Sequence, residues 1–333
     1  MNPANNEEFT LGYYMSKDLE AFKVDFGMRL DQIERTGSVT DEDHGDVDYY
    51  SIDDSTNSFA VSLGRELSDT VNMSIGYASV ERLPSVIELF MNGPHNATGR
   101  LETGNPNLQS ETSDNFDITF NYENGEYYGY ASFYVNDVDN YITLMDEEDD
   151  HDGHDSHDPH HDDDDDDDHP AGEPHDPHEN LIHADYVQED AEFDGYEIEF
   201  GRTMSLASGE LTLSFGRDVV NAKFADGHNV PRINPARNVY SLSYKQDDIV
   251  FKLSMKDVDK QNDIGEGETA TEAYQMLDTR LTKTFDLSGK SKLKVSLFGR
   301  NLLDEAARNH ASFVKNEVPL PGRNYGIKFN LTY

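Results

Sequence analysis

Apolar and polar residues alternate along most of the chain. Between Phe22 and Asp31, and again between Asn324 and Tyr333, every second residue is apolar. A period of two places successive side chains on opposite faces of a β-strand. The pattern predicts about thirteen strands, and many reach ten residues, whereas strands of globular proteins have a mode of roughly five to six. The predicted strands lie near 9–15, 22–34, 57–67, 70–81, 113–123, 126–144, 184–204, 209–224, 237–246, 248–258, 273–285, 291–301 and 323–333.

The connections between these strands alternate between short and long. The long ones lie near 35–56, 82–112, 145–183, 225–236, 259–272 and 302–322. Transmembrane barrels have short turns on one rim and long loops on the other, and tyrosines near strand ends fit their aromatic girdles. We therefore predict an all-β fold, a transmembrane antiparallel β-barrel with long extracellular loops. The alternative, a soluble β-sandwich or β-helix, has no reason to sort its loops by parity.

The connection at 146–183, called the His/Asp segment below, has an extreme composition. It holds nine of the thirteen histidines and 18 of the 67 acidic residues, with no Lys or Arg. We expect a disordered loop, because so few apolar side chains cannot form a core. Imidazole and carboxylate are metal ligands, and the Asp162–Asp168 run supplies a field that concentrates cations. The candidate ligands are His151, His154, His157, His160, His161, His169, His175, His178 and His183. A solvated acidic linker is the alternative interpretation.

The other four histidines also fall in predicted long connections. They are His44, His95, His228 and His310. The pattern thus predicts that no histidine lies in a strand or a short turn, and that all of them share one rim of the barrel.

The composition of the chain and its lack of certain motifs argue against several functions. A net charge of −41 argues against nucleic-acid binding. The absence of cysteine excludes disulfides and thiolate zinc sites within the chain. No apolar run approaches the length of a membrane-spanning helix. The sequence contains no H-E-x-x-H, Gly-x-Ser-x-Gly or phosphate-loop motif, so we do not expect an enzyme.

Three stretches resemble the barrel of TonB-dependent outer-membrane receptors. They are the Arg82–Thr98 run followed by Glu102–Asn115, the Gly299–Asp304 motif, and the ending Pro321–Tyr333 with its terminal aromatic residue. The resemblance covers essentially the whole chain, residues 1–333. It implies a Gram-negative outer-membrane protein surrounded by lipid.

What the resemblance implies for architecture is a barrel of 22 strands, of which this chain would supply the C-terminal 13. Family members also carry an N-terminal plug domain, a signal peptide and a box that engages TonB. None of these is recognisable in the sequence, so we expect contact with TonB only through a plug region that is absent here. We expect a monomer.

Within that family, the Gly93–Thr98 stretch and the His/Asp segment are similar to zinc-uptake (ZnuD-like) receptors. The resemblance suggests His95 as a metal ligand, and His44, among Asp41, Glu42, Asp43 and Asp46, as a second. His228 and His310 are expected to be bystanders. Zn²⁺ would be the transported ligand, with Cu²⁺, Ni²⁺ or haem as alternatives. A surface metal-binding protein that does not transport remains a further alternative.

Overall fold

The computed structural model of the protein describes residues 2–40, 46–147 and 181–333. These residues form fifteen β-strands and one short helix. The first elements are β1 (Asn5–Asp18), β2 (Lys23–Thr40), β3 (Val47–Ser68), β4 (Val71–Arg82), α1 (Val86–Phe90), β5 (Asn92–His95), β6 (Arg100–Thr103), β7 (Glu111–Asn124) and β8 (Tyr127–Asp146). The others are β9 (Ile182–Leu206), β10 (Gly209–Phe224), β11 (Arg237–Gln246), β12 (Ile249–Val258), β13 (Tyr274–Asp286), β14 (Lys292–Arg300) and β15 (Asn324–Thr332).

Thirteen of the strands form a continuous antiparallel path in one sheet. Its order is β1-β2-β3-β4-β7-β8-β9-β10-β11-β12-β13-β14-β15, so each of these thirteen strands pairs with the next one of the path along the chain. The two short strands β5 and β6 form a hairpin inside the connection between β4 and β7. The predicted thirteen strands and the antiparallel all-β architecture are therefore confirmed. No separate plug domain occurs among the described residues.

The alternation produces one apolar face that no other part of the described chain covers. On β15, Tyr325, Ile327 and Phe329 are between 54% and 71% exposed. The strand register sets Ile327 beside the exposed Leu297 of β14. Burying such side chains in hydrocarbon is favourable, whereas in water the protein would leave a continuous apolar surface hydrated. This face is the one that suits contact with lipid.

The connections are sorted by length as predicted. Turns of two to five residues join β1 to β2, β3 to β4, β7 to β8, β9 to β10, β11 to β12 and β13 to β14. Gly125 and Gly289 adopt positive φ angles of 56° and 79° in two of these turns, where L side chains are disfavoured. The alternate connections are longer, and the antiparallel path brings them to the opposite rim.

One predicted connection, at 35–56, is wrong. β2 continues to Thr40 and β3 begins at Val47, and the two pair residue by residue up to Thr40 opposite Val47. Both faces of this extension carry polar residues, so the alternation that marks a lipid-facing strand fades there. Residues 41–45 lie outside the described residues.

The prediction that no histidine lies in a strand is also wrong. His95 is the last residue of β5, and His183 is the second residue of β9. At the other end of the His/Asp segment, Asp146 is the last residue of β8. The helix α1 was also missed, although Ser85 and Glu88 have the sequence spacing of a capping box. It has five residues and is the one helix among the described residues. No helix in that part of the chain is long and apolar enough to cross a membrane.

Apolar packing is concentrated at the rim that bears the long connections. Ala191, Ala222, Phe224 and Val230 form a buried cluster, against which partly buried neighbours such as Tyr141 pack. The cluster joins β9 and the end of β10 to the connection that follows β10. This packing gives the long connections a fixed base.

Candidate functional site

The connection between β4 and β7 folds back against β2 through α1. Ser85 and Glu88 form a capping box, in which the Ser85 hydroxyl accepts from the Glu88 N–H and the Glu88 carboxylate accepts from the Ser85 N–H. Phe90 is fully buried. A Cβ atom added to Gly37 of β2 would lie 2.4 Å from the Phe90 ring, so glycine at this position makes room for the helix. This contact fixes the place from which the β5–β6 hairpin begins.

His95 and Glu102 face each other across that hairpin. His95 Nδ1 lies 2.9 Å from Glu102 Oε1, and the Thr98 hydroxyl donates to the same oxygen at 2.6 Å. The Glu102 side chain is 1% exposed, whereas that of His95 is 45% exposed. Glu102 Oε2 accepts no hydrogen bond from any described residue, although the Tyr186 phenol interacts with this carboxylate. A buried carboxylate with an unused oxygen is costly unless a cation or proton approaches it.

The arrangement also defines the tautomer of His95. If Nδ1 carries the proton and donates to Glu102, then Nε2 keeps the lone pair that binds a metal. Carboxylate–histidine pairs of this kind orient the ligating imidazole in metal sites. The pair can therefore supply one imidazole nitrogen and a negative charge to a divalent cation.

The strand β6 holds both ends of the His/Asp segment. It pairs in parallel with the start of β9, with Leu101 opposite His183. From the same strand, the Arg100 guanidinium donates to both carboxylate oxygens of Asp146 at 2.5 Å. Both of these side chains are about nine-tenths buried. A bidentate pair fixes direction as well as distance, so β6 positions the exit and the return of the segment next to His95 and Glu102.

Further long connections pack onto Arg100 through Phe313. The Phe313 ring lies between two guanidiniums, with Arg100 Cζ at 4.5 Å and Arg232 Cζ at 4.2 Å from its centroid. Arg232 also donates to the Leu144 carbonyl and to the Thr143 hydroxyl near the end of β8. Cation–π contacts are strongest when water is excluded, and of the three side chains Arg100 is buried while Arg232 and Phe313 are partly buried. They bind the connections after β10 and β14 to the end of β8.

Glu268 is the centre of a second buried polar cluster. Its Oε1 accepts from Lys315 Nζ at 2.7 Å and lies 3.1 Å from His310 Nε2. The backbone N–H groups of Arg232 and Gly265 also donate to this carboxylate. Despite the opposing effect of burial, these partners lower the pKa of Glu268 to about 2. Thr271 completes the cluster through a 3.0 Å contact with His310 Nδ1.

A third acidic contact lies where the His/Asp segment leaves the sheet. The Glu147 N–H donates to the His183 carbonyl at 2.9 Å. The neighbouring Asp185 carboxylate raises the pKa of Glu147, and burial adds to this, while His183 acts in the opposite direction. Negative charge is therefore crowded at this point, and a cation would relieve it.

The structure assigns places to only some of the predicted ligands. His44 and the eight histidines from His151 to His178 lie outside the described residues. His95 and His183 are described and lie on the paired strands β5, β6 and β9. Among residues 2–40, 46–147 and 181–333, no three His, Asp or Glu side chains form a group that could hold a metal ion. A complete coordination sphere there would need donors beyond the described residues.

The two histidines expected to be bystanders differ from each other. His228 is exposed, and its Nδ1 lies 2.6 Å from an Asp226 carboxylate oxygen. His310 is 2% exposed and belongs to the Glu268 cluster, so it has a structural role in the long connections, and its expected place outside the metal site stays a prediction. Sequence reasoning also missed Glu102. The signal available was its place seven residues after His95 across a Thr-Gly turn, but its burial depends on β9, which is distant in sequence.

Comparisons with known proteins agree with this architecture. The family model described as "TonB dependent receptor-like, beta-barrel" matches residues 5–302. The copper transporter OprC superposes with a TM-score of 0.73 at 18% identity, covering 98% of this chain and 49% of that one. The ferric-catecholate import receptor Fiu from E. coli K12 gives 0.62 at 15% identity, with coverages of 98% and 45%.

The ferric citrate transporter FecA also matches, with a TM-score of 0.62 at 13% identity, over 99% of this chain and 46% of that one. The chain thus spans about half the length of the solved structures it matches. At these identities the structural matches establish the fold, while the family model covers most of the chain. The chain belongs to the TonB-dependent receptor β-barrel family and is an outer-membrane protein of Gram-negative type.

Proposed function

We propose that the chain is the barrel part of a TonB-dependent receptor that imports zinc. The family supports uptake across the outer membrane, with energy supplied through TonB and a plug region. The concentration of histidine and carboxylate in the long connections supports a metal ion as cargo. In this proposal the His/Asp segment collects Zn²⁺ outside the cell and delivers it to a site at the barrel mouth.

The observation that carries the proposal is the contact between His95 and Glu102. A buried carboxylate holds one ring nitrogen of a half-exposed imidazole, and its second oxygen is approached by the Tyr186 phenol but by no cation of the described chain. Zinc accepts both imidazole nitrogen and carboxylate oxygen as ligands. Both ends of the His/Asp segment lie beside this pair, because β6 contacts Asp146 and residues 182–185. Further ligands would therefore come from a short distance.

The test is a zinc titration of the protein and three variants in detergent. We expect His95→Ala to abolish the tightest site and Glu102→Gln to weaken it by about 10- to 100-fold, since orienting carboxylates have effects of this size. His228→Ala is the matched control, because His228 is also a loop histidine beside a carboxylate. Equal losses in all three variants would mean that zinc binds loop histidines indiscriminately, against the proposal.

Zinc capture should weaken as the pH falls through roughly 6 to 7, because protonated imidazole cannot bind a metal. Repeating the titration between pH 7.5 and 5.5 checks this. An affinity that stays constant over the range would indicate ligands other than histidine.

Copper is the second candidate cargo, because one of the matched structures is that of a copper transporter. Nitrogen and oxygen sites bind Cu²⁺ more tightly than Zn²⁺ in the Irving–Williams order, so affinity by itself does not identify the cargo. Uptake by cells that express the complete receptor should be measured with zinc, copper, nickel and haem in competition. Zinc uptake that persists in the presence of the other three supports the zinc proposal. Preferential copper uptake would instead identify copper as the cargo.

An alternative from another functional class is a surface protein that binds metal ions but does not transport them. Deletion of residues 148–180 keeps Asp146 and His183, which belong to β8 and β9. We expect the deletion to lower zinc uptake when zinc is scarce. Unchanged uptake together with lost surface binding would assign the segment to metal storage instead.

A further inference from the structure

The lipid-facing surface of the barrel wall carries cations next to its short turns, and the zinc proposal does not use them. They are Arg65 of β3, Arg202 of β9 and Lys283 of β13. Each lies within five residues of a short turn. In transmembrane barrels the short turns face the periplasm. The three cations therefore lie at the periplasmic end of the apolar surface.

The alternation of the strands shows that these cations face outward. Each of them follows an exposed apolar residue of its own strand by two positions, and these residues are Leu63, Phe200 and Leu281. Side chains two positions apart lie on the same face of a strand. The cations thus continue the apolar rows that suit contact with lipid and do not line the interior of the barrel.

Each cation lies over an aromatic ring. The distances to the ring centroids are 5.2 Å from Arg65 Cζ to Phe22, 4.9 Å from Arg202 Cζ to Tyr127 and 5.2 Å from Lys283 Nζ to Phe285. Aromatic rings and long cationic side chains are both favoured where hydrocarbon meets the lipid headgroups. The three cation–aromatic pairs therefore mark the level of the periplasmic headgroups.

Carboxylates of the protein compensate these cations only in part. Arg202 Nη2 lies 2.7 Å from a carboxylate oxygen of Glu126, which is 54% exposed. Neither Arg65 nor Lys283 forms an ion pair with any of the described residues. An external anion can therefore approach these two cations without breaking an ion pair.

The same outward face is acidic at its other end. On β9, the row that contains Arg202 continues through Phe200 to Asp194 and Glu192. Arg202 and Glu192 are ten residues apart, about 33 Å along the strand, and a tilt of roughly 40° reduces this to about 25 Å. Since the apolar band of such barrels has this height, the cation and the carboxylate mark its two boundaries. Attraction for anions is thus strongest at the periplasmic boundary.

We propose that Arg65, Arg202 and Lys283 bind the headgroup phosphates of anionic phospholipids in the periplasmic leaflet. Arginine and lysine form charge-assisted hydrogen bonds with phosphate oxygens. The apolar row above each cation contacts the acyl chains of the same lipid. A free phosphate ion would make only the first of these contacts, so the site fits a membrane lipid. Binding requires no metal ion and does not depend on His95.

The experiment measures the lipid selectivity of the full chain in phosphatidylcholine vesicles that contain a trace of spin-labelled lipid. Electron spin resonance distinguishes lipid immobilised at the protein surface from bulk lipid. We expect labelled phosphatidylglycerol to be immobilised in preference to labelled phosphatidylcholine, and the preference should fall as the ionic strength rises. The variant Arg65→Gln/Arg202→Gln/Lys283→Gln should lower the preference by about fivefold or more, because one cation at an anionic surface contributes a factor of about five.

Two single variants are the matched controls, and both should keep the preference. Lys245→Gln removes a cation that lies near a short turn on the inner face, since the outward row of β11 contains Tyr240 and Tyr244. Lys223→Gln removes a cation from the outward row of β10 that contains Phe215, but at the end of the long connections. The first control tests the face of the sheet, and the second tests the end of the strand.

Two further measurements make the outcome decisive. Arg65→Lys/Arg202→Lys conserves the charge and should keep the preference, whereas a loss there would assign the effect to packing and overturn the proposal. His95→Ala should also keep it, which separates this inference from the zinc site. Equal immobilisation of the two lipids, an equal loss in either control, or displacement of phosphatidylglycerol by inorganic phosphate would each overturn the proposal.

Discussion

Arg100 is the residue that fixes the base of the His/Asp segment. Its bidentate pair with Asp146 is buried, and removing one partner of such a pair costs about 3 to 5 kcal/mol. We expect Arg100→Met to release the end of β8, measured as faster proteolysis at the long rim. The double variant Arg100→Met/Asp146→Leu should recover most of the loss, because no unpaired charge then remains. If the double variant is as labile as the single one, the Phe313 stack rather than the ion pair holds the rim.

The lowered pKa of Glu268 lets us predict how the stability of the long connections depends on pH. The pKa of its carboxyl is lowered to about 2 in the folded protein, from an ordinary value of 4.5. Its contribution to stability is therefore complete above about pH 4.5 and is lost as the pH falls toward 2. Hydrogen exchange at the Arg232 and Gly265 amides, which donate to Glu268, should accelerate over this interval.

Glu268→Gln should remove this pH dependence and raise exchange already at pH 6. Glu266→Gln, two residues away on an exposed part of the same connection, is the control and should behave like the unmodified protein. Acceleration that begins only below pH 2, or that Glu266→Gln also removes, would assign the transition to another group.

At the scale of elements, α1 depends on a single glycine of β2. The Gly37 position leaves no space for a Cβ atom beside Phe90, whereas a Cβ atom at Gly27 of the same strand meets nothing within 4 Å. We expect Gly37→Ala to displace Phe90 at a cost of about 1 to 3 kcal/mol, the usual range for overpacking. Gly27→Ala should be tolerated. Cleavage by protease within residues 83–91 measures the difference, and Phe90→Ala added to Gly37→Ala should remove the clash.

The barrel strands were predictable because lipid enforces their pattern. Strands that face hydrocarbon must alternate strictly, and β10 and β11 were placed with the correct bounds. The signal faded where both faces meet water, so the extensions of β2 and β3 were missed. The helix α1 has a local signal in its Ser85–Glu88 capping box, but its placement follows from tertiary contacts such as Phe90 against Gly37, which local pattern does not encode. The same holds for the hairpin of β5 and β6.

The candidate site was also predictable only in part, because its contacts join segments that are distant in sequence. Composition singled out histidine, and the family resemblance drew attention to His95. Glu102 became visible only with the pairing of β6 and β9, which are about eighty residues apart in sequence. His310 was dismissed as one loop histidine among several, because nothing in the sequence places Glu268 and Lys315 around it. Burial of a loop residue depends on which other loops cover it.

At the scale of the whole molecule, the charge distribution predicts how the proposed cargo, Zn²⁺, approaches the protein. The net charge is −41, and the His/Asp segment alone supplies 18 carboxylates without a cation. Such a field accelerates the approach of Zn²⁺, and salt screens it over about 8 to 10 Å at ordinary ionic strength. The association rate, measured by stopped flow, should therefore fall as NaCl rises from 10 to about 300 mM, while the dissociation rate changes less.

Replacing Asp162–Asp168 by asparagine tests the source of this field. These seven residues are expected to attract the ion rather than to bind it, so the variant should show slower association and a weaker dependence on salt. Its dissociation rate should stay close to that of the unmodified protein, because the ligands remain. A faster dissociation rate would instead make the aspartates ligands, and the segment would then act as a binding site and not as a collector.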